Sequence, residues 1–300
     1  MSRARRGIAA LVAGTVMVSA AYGQAAQGRP APPVVTGDSA DLPMVLRGPQ
    51  PALEVMVNGR GPFVFAIDTG GAGDGRVDRS LVTQLRLEQV GEARGSAGPG
   101  AAVQIMPIVR VETLAVGGIT LQHLDLPSRD YNTSPNLPHI DGILGFNAFA
   151  DFLLTLDCPH RRVRIERGTL PDPDGRTILS FDSSHRIPEI QIDVAGHTMT
   201  ADLDTGNVVN DQVEVPAASA RELPWLSAPA AAGRAQTVSG SEALASGQLD
   251  GDLQIGSYII HQPHLTIVDG LPVANIGSGV LAHFVVTFDQ KNRRVRLTPA

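Results

Sequence analysis

The sequence has a single cysteine, Cys158, among its 300 residues, so no disulfide can form within the chain. The formal net charge is −6 and most basic residues are dispersed, so nothing favours a nucleic-acid partner. No long amphipathic helical pattern is present, and helix is predicted only in short pieces, at 79–87 and 217–223. The 32 glycines and 22 prolines follow no period, which is typical of many short strands and turns. We therefore predict an all-β protein.

Apolar runs long enough to span a bilayer are also missing. The run Gly7–Ala20 is too short for that, follows three arginines among the first six residues, and is followed by small residues within Ala21–Gly23. This pattern predicts a signal peptide at 1–23. We expect an exported protein, in the bacterial periplasm or secreted, with no stable membrane insertion after signal cleavage. Because disulfides are excluded, a bacterial periplasmic enzyme is favoured over a eukaryotic secreted one.

Signatures of several common chemistries are absent. The glycine-rich stretch 95–100 lacks the lysine and the following helix of a phosphate-binding loop. No serine lies in a nucleophile elbow, and Cys158 falls in a predicted hairpin turn, which is a poor place for a catalytic thiol. His261 and His264 have no third ligand nearby and are predicted to be surface side chains. We predict no metal and no cofactor.

Two copies of one acidic turn are present, Asp68-Thr69-Gly70 and Asp204-Thr205-Gly206. Each follows an apolar, strand-like run, at 63–67 and at 199–203, so each aspartate is predicted to stand where a strand breaks into a glycine turn. One such turn would be unremarkable. Two in matched contexts can bring two carboxyl groups together, and carboxyl groups in contact share a proton and can act as acid and base.

The matched contexts belong to an internal repeat. Phe152–Ile165 aligns without gaps onto Phe284–Leu297 at an offset of 132, and seven of the fourteen positions are identical. The chain is therefore predicted to contain a duplicated lobe. We divide it into a signal peptide (1–23), a flexible lead-in (24–44), an N-terminal lobe (45–169), a linker (170–182) and a C-terminal lobe (183–300).

These motifs resemble the aspartic protease family, in its pepsin-like two-lobed and retropepsin-like forms. The family has an apolar-apolar-Gly segment downstream of each Asp loop, which Ile143-Leu144-Gly145 matches well and Asn275-Ile276-Gly277 matches less well. The resemblance extends from about Val45 to the C-terminus. It implies a two-lobed pepsin-like fold of β-barrel-like lobes with the active-site cleft between them, and a lid near 93–102.

The resemblance also implies an activity. The chain would be an aspartic endopeptidase, a monomer in which Asp68 and Asp204 activate a water that hydrolyses a peptide or unfolded protein substrate, without a covalent intermediate. The alternative is a catalytically weak or inactive peptide- or ligand-binding protein on the same fold. The family's supporting residues would be Thr69, Gly70, Thr205 and Gly206.

Three residues depart from the family pattern. Gly71 and Asn207 stand where the family usually has Ser, Thr or Ala, so a hydroxyl that supports the outer carboxylate oxygen is missing from both halves. Asp202 lies two residues before Asp204, on the same strand face. Either its charge raises the proton affinity of the aspartate pair, or it points to solvent or pairs with an arginine. These departures predict reduced activity.

Overall fold

The structure is a computed structural model and describes residues 10–11, 33–71, 73–95, 104–132, 138–184, 186–208, 211–237 and 240–299. Strands form 58% of the described residues and helices 8%, which confirms the all-β prediction. Apart from 10–11, the predicted signal peptide lies outside the described residues. So does 96–102 of the predicted lid.

Strands of 2 to 13 residues make up both halves of the chain. Those of the first half are β1 (Ala10–Leu11), β2 (Val34–Thr36), β3 (Ser39–Pro43), β4 (Val45–Arg47), β5 (Gln50–Val57), β6 (Arg60–Asp68), β7 (Gly75–Asp78), β8 (Gln89–Gly95), β9 (Gln104–Val116), β10 (Ile119–Arg129), β11 (Gly142–Gly145), β12 (Leu153–Asp157) and β13 (Arg162–Glu166). Those of the second half are β14 (Ile178–Ser180), β15 (Glu189–Val194), β16 (His197–Asp204), β17 (Glu214–Pro216), β18 (Ala230–Thr237), β19 (Gly240–Gln248), β20 (Asp252–Ile255), β21 (Tyr258–His261), β22 (His264–Val268), β23 (Ala274–Gly277), β24 (Phe284–Asp289) and β25 (Arg294–Pro299).

Two large sheets repeat one local arrangement. The first has the order β2-β10-β7-β11-β6-β5-β9-β8, with β4 beside β5, and the second has the order β1-β18-β19-β22-β17-β23-β16-β15-β20-β21. In the first, β11 lies between β6, its parallel neighbour, and β7, its antiparallel neighbour. In the second, β23 lies in the same way between β16 and β17. The strand that ends at an aspartate therefore has the same neighbours in each sheet.

Side-chain alternation along β6 explains how its aspartate is placed. Phe65 and Ile67 point into the main hydrophobic core. Ala66 points to the other face, where it packs with Ala52 and Ile143 in a smaller apolar cluster. Because successive strand residues alternate between faces, Asp68 follows Ala66 onto that second face.

A third sheet joins the two copies of the repeat. It has the order β14-β25-β24-β12-β13-β3, so β12 and β24 are antiparallel neighbours at its centre. Thr155 and Thr287, which are 132 positions apart, are register partners there, and their Oγ1 atoms are 3.0 Å apart. Phe152–Ile165 and Phe284–Leu297 thus form neighbouring hairpins of one sheet.

Segments predicted as a flexible lead-in and a linker contribute edge strands to this third sheet. The lead-in, 24–44, contains β2 and β3 in its described part, and β3 pairs with β13 at five positions. The linker, 170–182, contains β14, which pairs with β25. The strands β3 and β14 are short, and each forms through hydrogen bonds to a hairpin that is distant in sequence. Local composition therefore did not predict them.

The helices are short. They are α1 (Arg79–Leu85), a 3-10 turn (Phe146–Phe149), α2 (Ala217–Ala220) and α3 (Ser278–Leu281). At the start of α1 the Asp78 carboxylate accepts a hydrogen bond from the Ser80 N–H, as an N-cap does. The helix predicted at 217–223 ends at Ala220, before the proline that follows Leu223. Among the described residues, no helix has the length and apolar character that crossing a bilayer requires.

Candidate active site

Asp68 and Asp204 occupy matching places at the ends of their strands. Asp68 is the last residue of β6 and Asp204 the last residue of β16. The register partner of Asp68 on β11 is Gly145, and the register partner of Asp204 on β23 is Gly277. Both predicted downstream glycine segments are therefore the strands that lie directly beside the aspartates.

The structure brings the two carboxyl groups into contact. The side chain of Asp68 is hydrogen-bonded to the side chain of Asp204. Each carboxyl group also lies against the glycine of the opposite turn, since a Cβ on Gly70 would be 2.2 Å from Asp204 Oδ1, and a Cβ on Gly206 would be 2.4 Å from Asp68 Oδ1. No side chain fits at either position, which explains why both turns carry glycine.

The two threonines hold the turns together by reciprocal hydrogen bonds. The Thr69 N–H donates to Thr205 Oγ1 and the Thr205 N–H donates to Thr69 Oγ1, both at 3.0 Å. The hydroxyl of Thr69 donates to the Leu203 carbonyl at 2.6 Å, and that of Thr205 donates to the Ile67 carbonyl at 2.7 Å. All four bonds are buried and cross between the turns, so they fix the position of one aspartate relative to the other.

The environment of the pair favours one shared proton. Asp204 is buried and Asp68 is partly exposed. Burial, and then the charge of Asp204, raise the pKa of Asp68 to about 7, against the opposing effect of the Arg76 guanidinium. Asp68 therefore keeps its proton above the usual pH for an aspartic acid, so the two side chains in contact can share that proton.

The raised pKa predicts how stability depends on pH. An aspartate whose pKa rises from 3.8 to about 7 on folding holds its proton more tightly in the folded state. Its contribution to the free energy of unfolding is therefore greatest below pH 3.8 and is lost as the pH rises to about 7. Urea denaturation at several pH values should show this loss in the wild-type protein and a flatter dependence in Asp68→Asn. Parallel curves for the two proteins would contradict the shift.

A guanidinium lies near the place of the missing hydroxyl in the first half. Arg76 of β7 is only 2% exposed. A Cβ on Gly71 would be 2.8 Å from Asp68 Oδ2 and 2.9 Å from Arg76 Nη1. A serine at position 71 would therefore need the carboxyl group or the guanidinium to move. Gly71 leaves room for the Arg76 guanidinium, whose positive charge partly opposes the rise in the pKa of Asp68.

An amide supplies the corresponding contact in the second half. Asn275 Nδ2 donates to Asp204 Oδ2 at 3.1 Å. Asn207 Nδ2 donates to Asn275 Oδ1 at 2.9 Å and to Glu214 Oε2 at 2.8 Å. Asn207 and Asn275, which both depart from the family pattern, are thus hydrogen-bonded to each other beside the aspartate. The missing hydroxyl is compensated here by a different donor.

Asp202 does not point to solvent. It is 5% exposed, and its register partner on β23 is Asn275. Because it lies two residues before Asp204 on one strand, it shares a face with that aspartate. The solvent-exposed alternative is therefore wrong, and Asp202 belongs to the buried polar surroundings of the pair.

The sequence prediction missed Arg76 and Glu214. Arg76 pairs with Ile143, and Glu214 pairs with Asn275 at the corresponding place of the other sheet. Each precedes a valine in the short strand after its Asp-Thr-Gly turn, a pattern that could have identified them. The spacing from aspartate to charged residue differs between the halves, so a gap-free alignment does not pair them.

Other candidate groups have ordinary surroundings. Within the part of the chain that the structure describes, no group of three or more His, Cys, Asp or Glu side chains could hold a metal ion. His261 and His264 are exposed, and His261 Nδ1 lies 2.9 Å from Asp252 Oδ1. Burial, and then Asp157, raise the pKa of the Cys158 thiol to about 11, so the thiol stays protonated at neutral pH.

Comparison with known proteins adds a family match. Residues 53–148 match the family model described as Aspartyl protease. The matched segment contains the first acidic turn, at 68–70, and the glycine segment beside it, at 143–145. The comparison with curated proteins found no match.

Proposed function

We propose that this chain is an aspartic endopeptidase with Asp68 and Asp204 as its catalytic residues. The similarity of residues 53–148 to the family model described as Aspartyl protease supports this proposal. The observation that carries the proposal is the hydrogen bond between their side chains, at matching strand ends of two sheets. A structural role alone would not require two acidic groups in contact, since burying such a pair costs free energy.

The proposed reaction is hydrolysis by a bound water. The ionised aspartate takes a proton from the water, whose oxygen attacks the scissile carbonyl carbon, while the protonated aspartate donates a hydrogen bond to the carbonyl oxygen. A proton then passes to the leaving nitrogen as the C–N bond breaks. Each aspartate exchanges its role once per cycle, and no covalent intermediate forms. The four threonine hydrogen bonds keep the two carboxyl groups in the geometry that this exchange requires.

We propose that the fold is a duplicated, two-lobed arrangement of the pepsin-like type, with lobes at 45–169 and 183–300. Three features support it: the equivalent strand neighbours of β6 and β16, the reciprocal threonine bonds, and the paired repeat hairpins in the third sheet. In this arrangement each lobe supplies one aspartate, and the substrate lies between the lobes.

Cleavage by the purified protein tests the proposal. Residues 24–300, the chain expected after export and removal of 1–23, should cleave an unfolded protein or an apolar peptide at acidic pH. Cleavage should persist in the presence of a metal chelator. A statine-type peptide should block it, because its hydroxyl mimics the tetrahedral species between the two carboxyl groups.

The alternative is a protein that binds peptides on the same fold with little catalysis. It would bind the statine-type peptide and leave every member of a broad peptide library uncut. That outcome, from a folded protein, would overturn the enzyme proposal.

A further inference from the structure

The two halves of the site differ in the residue that lies beside each aspartate strand. Ile143 of β11 is the register partner of Ala66, and both belong to the small apolar cluster that also contains Ala52. At the equivalent place, Asn275 of β23 is the register partner of Asp202. Asn275 and Asp202 are 2% and 5% exposed, so one half has polar groups where the other has an apolar layer.

A buried series of hydrogen bonds runs from Glu214 to Asp204, one member of the Asp68–Asp204 pair, which we call the dyad. The Asn207 amide donates to Glu214 Oε2 and to Asn275 Oδ1, and the Asn275 amide donates to Asp204 Oδ2. The four residues are between 1% and 4% exposed. Buried polar side chains in such a series constrain each other's orientation.

The series of bonds has one direction. Asn207 Nδ2 donates to Glu214 Oε2, so the carboxyl oxygen is the acceptor of that bond and Asn207 presents its NH2 group to it. The same NH2 group faces Asn275, which must therefore present its carbonyl oxygen to Asn207 and its own NH2 group to Asp204. The bond to Glu214 Oε2 is thus consistent with the orientation of Asn207 and Asn275 in which Asp204 Oδ2 receives a donor.

We propose that Asn275, oriented by Asn207 and Glu214, is a positioning residue that keeps Asp204 the ionised member of the dyad and leaves the shared proton on Asp68. This inference rests on the proposed function and assigns the acid and the base within it. Asp204 Oδ1 also accepts the Gly206 N–H at 2.8 Å, so both oxygens of Asp204 receive a donor. Hydrogen bonds donated to a carboxylate favour its ionised form.

The charges that face the dyad show why such a donor is needed. Asp68 lies opposite Asp204, Asp202 precedes it on β16, and Glu214 lies on β17. Where these acidic groups are ionised, they disfavour a negative charge on Asp204. Arg76, beside Asp68, favours a negative charge on Asp68. Without the Asn275 amide, these charges would move the proton toward Asp204.

Titration of the two carboxyl groups tests the assignment. In residues 24–300 labelled with ¹³C at the aspartate carboxyl carbons, the signals of Asp68 and Asp204 are assigned by their loss in Asp68→Asn and Asp204→Asn. Asp204 should ionise in the lower step. Asn275→Ile, which copies Ile143, should raise that step by about one pH unit, as loss of one donor to a carboxylate allows.

Two further variants make the result decisive. Asn207→Thr keeps Asn275 but removes its hydrogen-bonding partner, so it should shift the lower step in the same direction by less. Thr155→Val removes a buried hydrogen bond from the third sheet, away from the dyad, and should move neither step. If Asn275→Ile does not fold, Asn207→Thr decides in its place. The pH profile of kcat/KM should follow the titration, with its acidic limb displaced and KM little changed.

The outcomes separate the two proposals. The positioning role would be overturned if Asn275→Ile left the lower step unmoved, or if Asn207→Thr did so where Asn275→Ile does not fold. Ionisation of Asp68 before Asp204 in the wild type would overturn it as well. If the lower step is displaced in Asn275→Ile while the wild-type protein cleaves no peptide, the positioning role is supported and the endopeptidase proposal is overturned. Cleavage together with an unmoved step would do the reverse.

Discussion

Replacing Asp68 or Asp204 by asparagine is expected to lower kcat/KM for peptide cleavage by about 10³- to 10⁴-fold, because either change leaves the pair without one of its two proton-transferring groups. The folded state should persist. An asparagine amide can donate a hydrogen bond to the remaining carboxylate across the same contact. The repulsion between the two carboxyl groups, which adds to burial in raising the pKa of Asp68, is then absent.

A surface aspartate provides the control. Asp250 is exposed in a turn, and Asp250→Asn should retain wild-type kcat/KM within about twofold, as surface changes away from a site usually do. Circular dichroism and urea denaturation should show that all three variants fold. A dyad variant that keeps more than about a tenth of the wild-type kcat/KM, after exclusion of a contaminating protease by the statine-type peptide, would remove that aspartate from the mechanism.

Local sequence patterns predicted the parts of the site that depend on local structure. An apolar run followed by Asp-Thr-Gly predicts a strand that breaks at a tight turn, and β6 and β16 end at Asp68 and Asp204 as expected. The offset of 132 predicted which hairpins are equivalent, and their threonines are register partners in one sheet. Because two identical turns end equivalent strands, the sequence also predicted that the two carboxyl groups lie together.

Long-range pairing accounts for what the sequence did not predict. Arg76 and Glu214 approach the dyad only because β7 and β17 lie two strands away from the aspartate strands, on the far side of β11 and β23. Asn207 and Asn275 are 68 positions apart, so the sequence showed one as a departure that weakens activity and the other only as a poorer match to the glycine segment. Their hydrogen bond becomes visible only when strand order and register are known. The compensation of one departure by another is therefore a property of the sheet.

The second large effect is expected at the contact between the two turns. In Thr205→Val the side chain keeps its shape but loses its hydroxyl, so the Thr69 N–H loses its acceptor and the Ile67 carbonyl loses a donor. Both groups are buried between the turns. Leaving two such groups without their partners should lower the free energy of unfolding by about 2–4 kcal/mol, measured by urea denaturation.

The same change should lower kcat/KM by about 10²-fold, since a displacement of about 1 Å between catalytic groups can have that effect. Thr205→Ser keeps the hydroxyl and should retain most of both stability and activity. Thr155→Val is the matched control, because it also removes a buried threonine hydroxyl from a contact between the two halves of the chain, but one that does not touch the dyad. It should lower the free energy of unfolding while kcat/KM of the folded protein stays near the wild-type value.

Equal losses of activity in Thr155→Val and Thr205→Val would show that the threonine bonds act only through global stability. A loss confined to Thr205→Val would show that they hold Asp68 and Asp204 in the geometry that proton exchange requires.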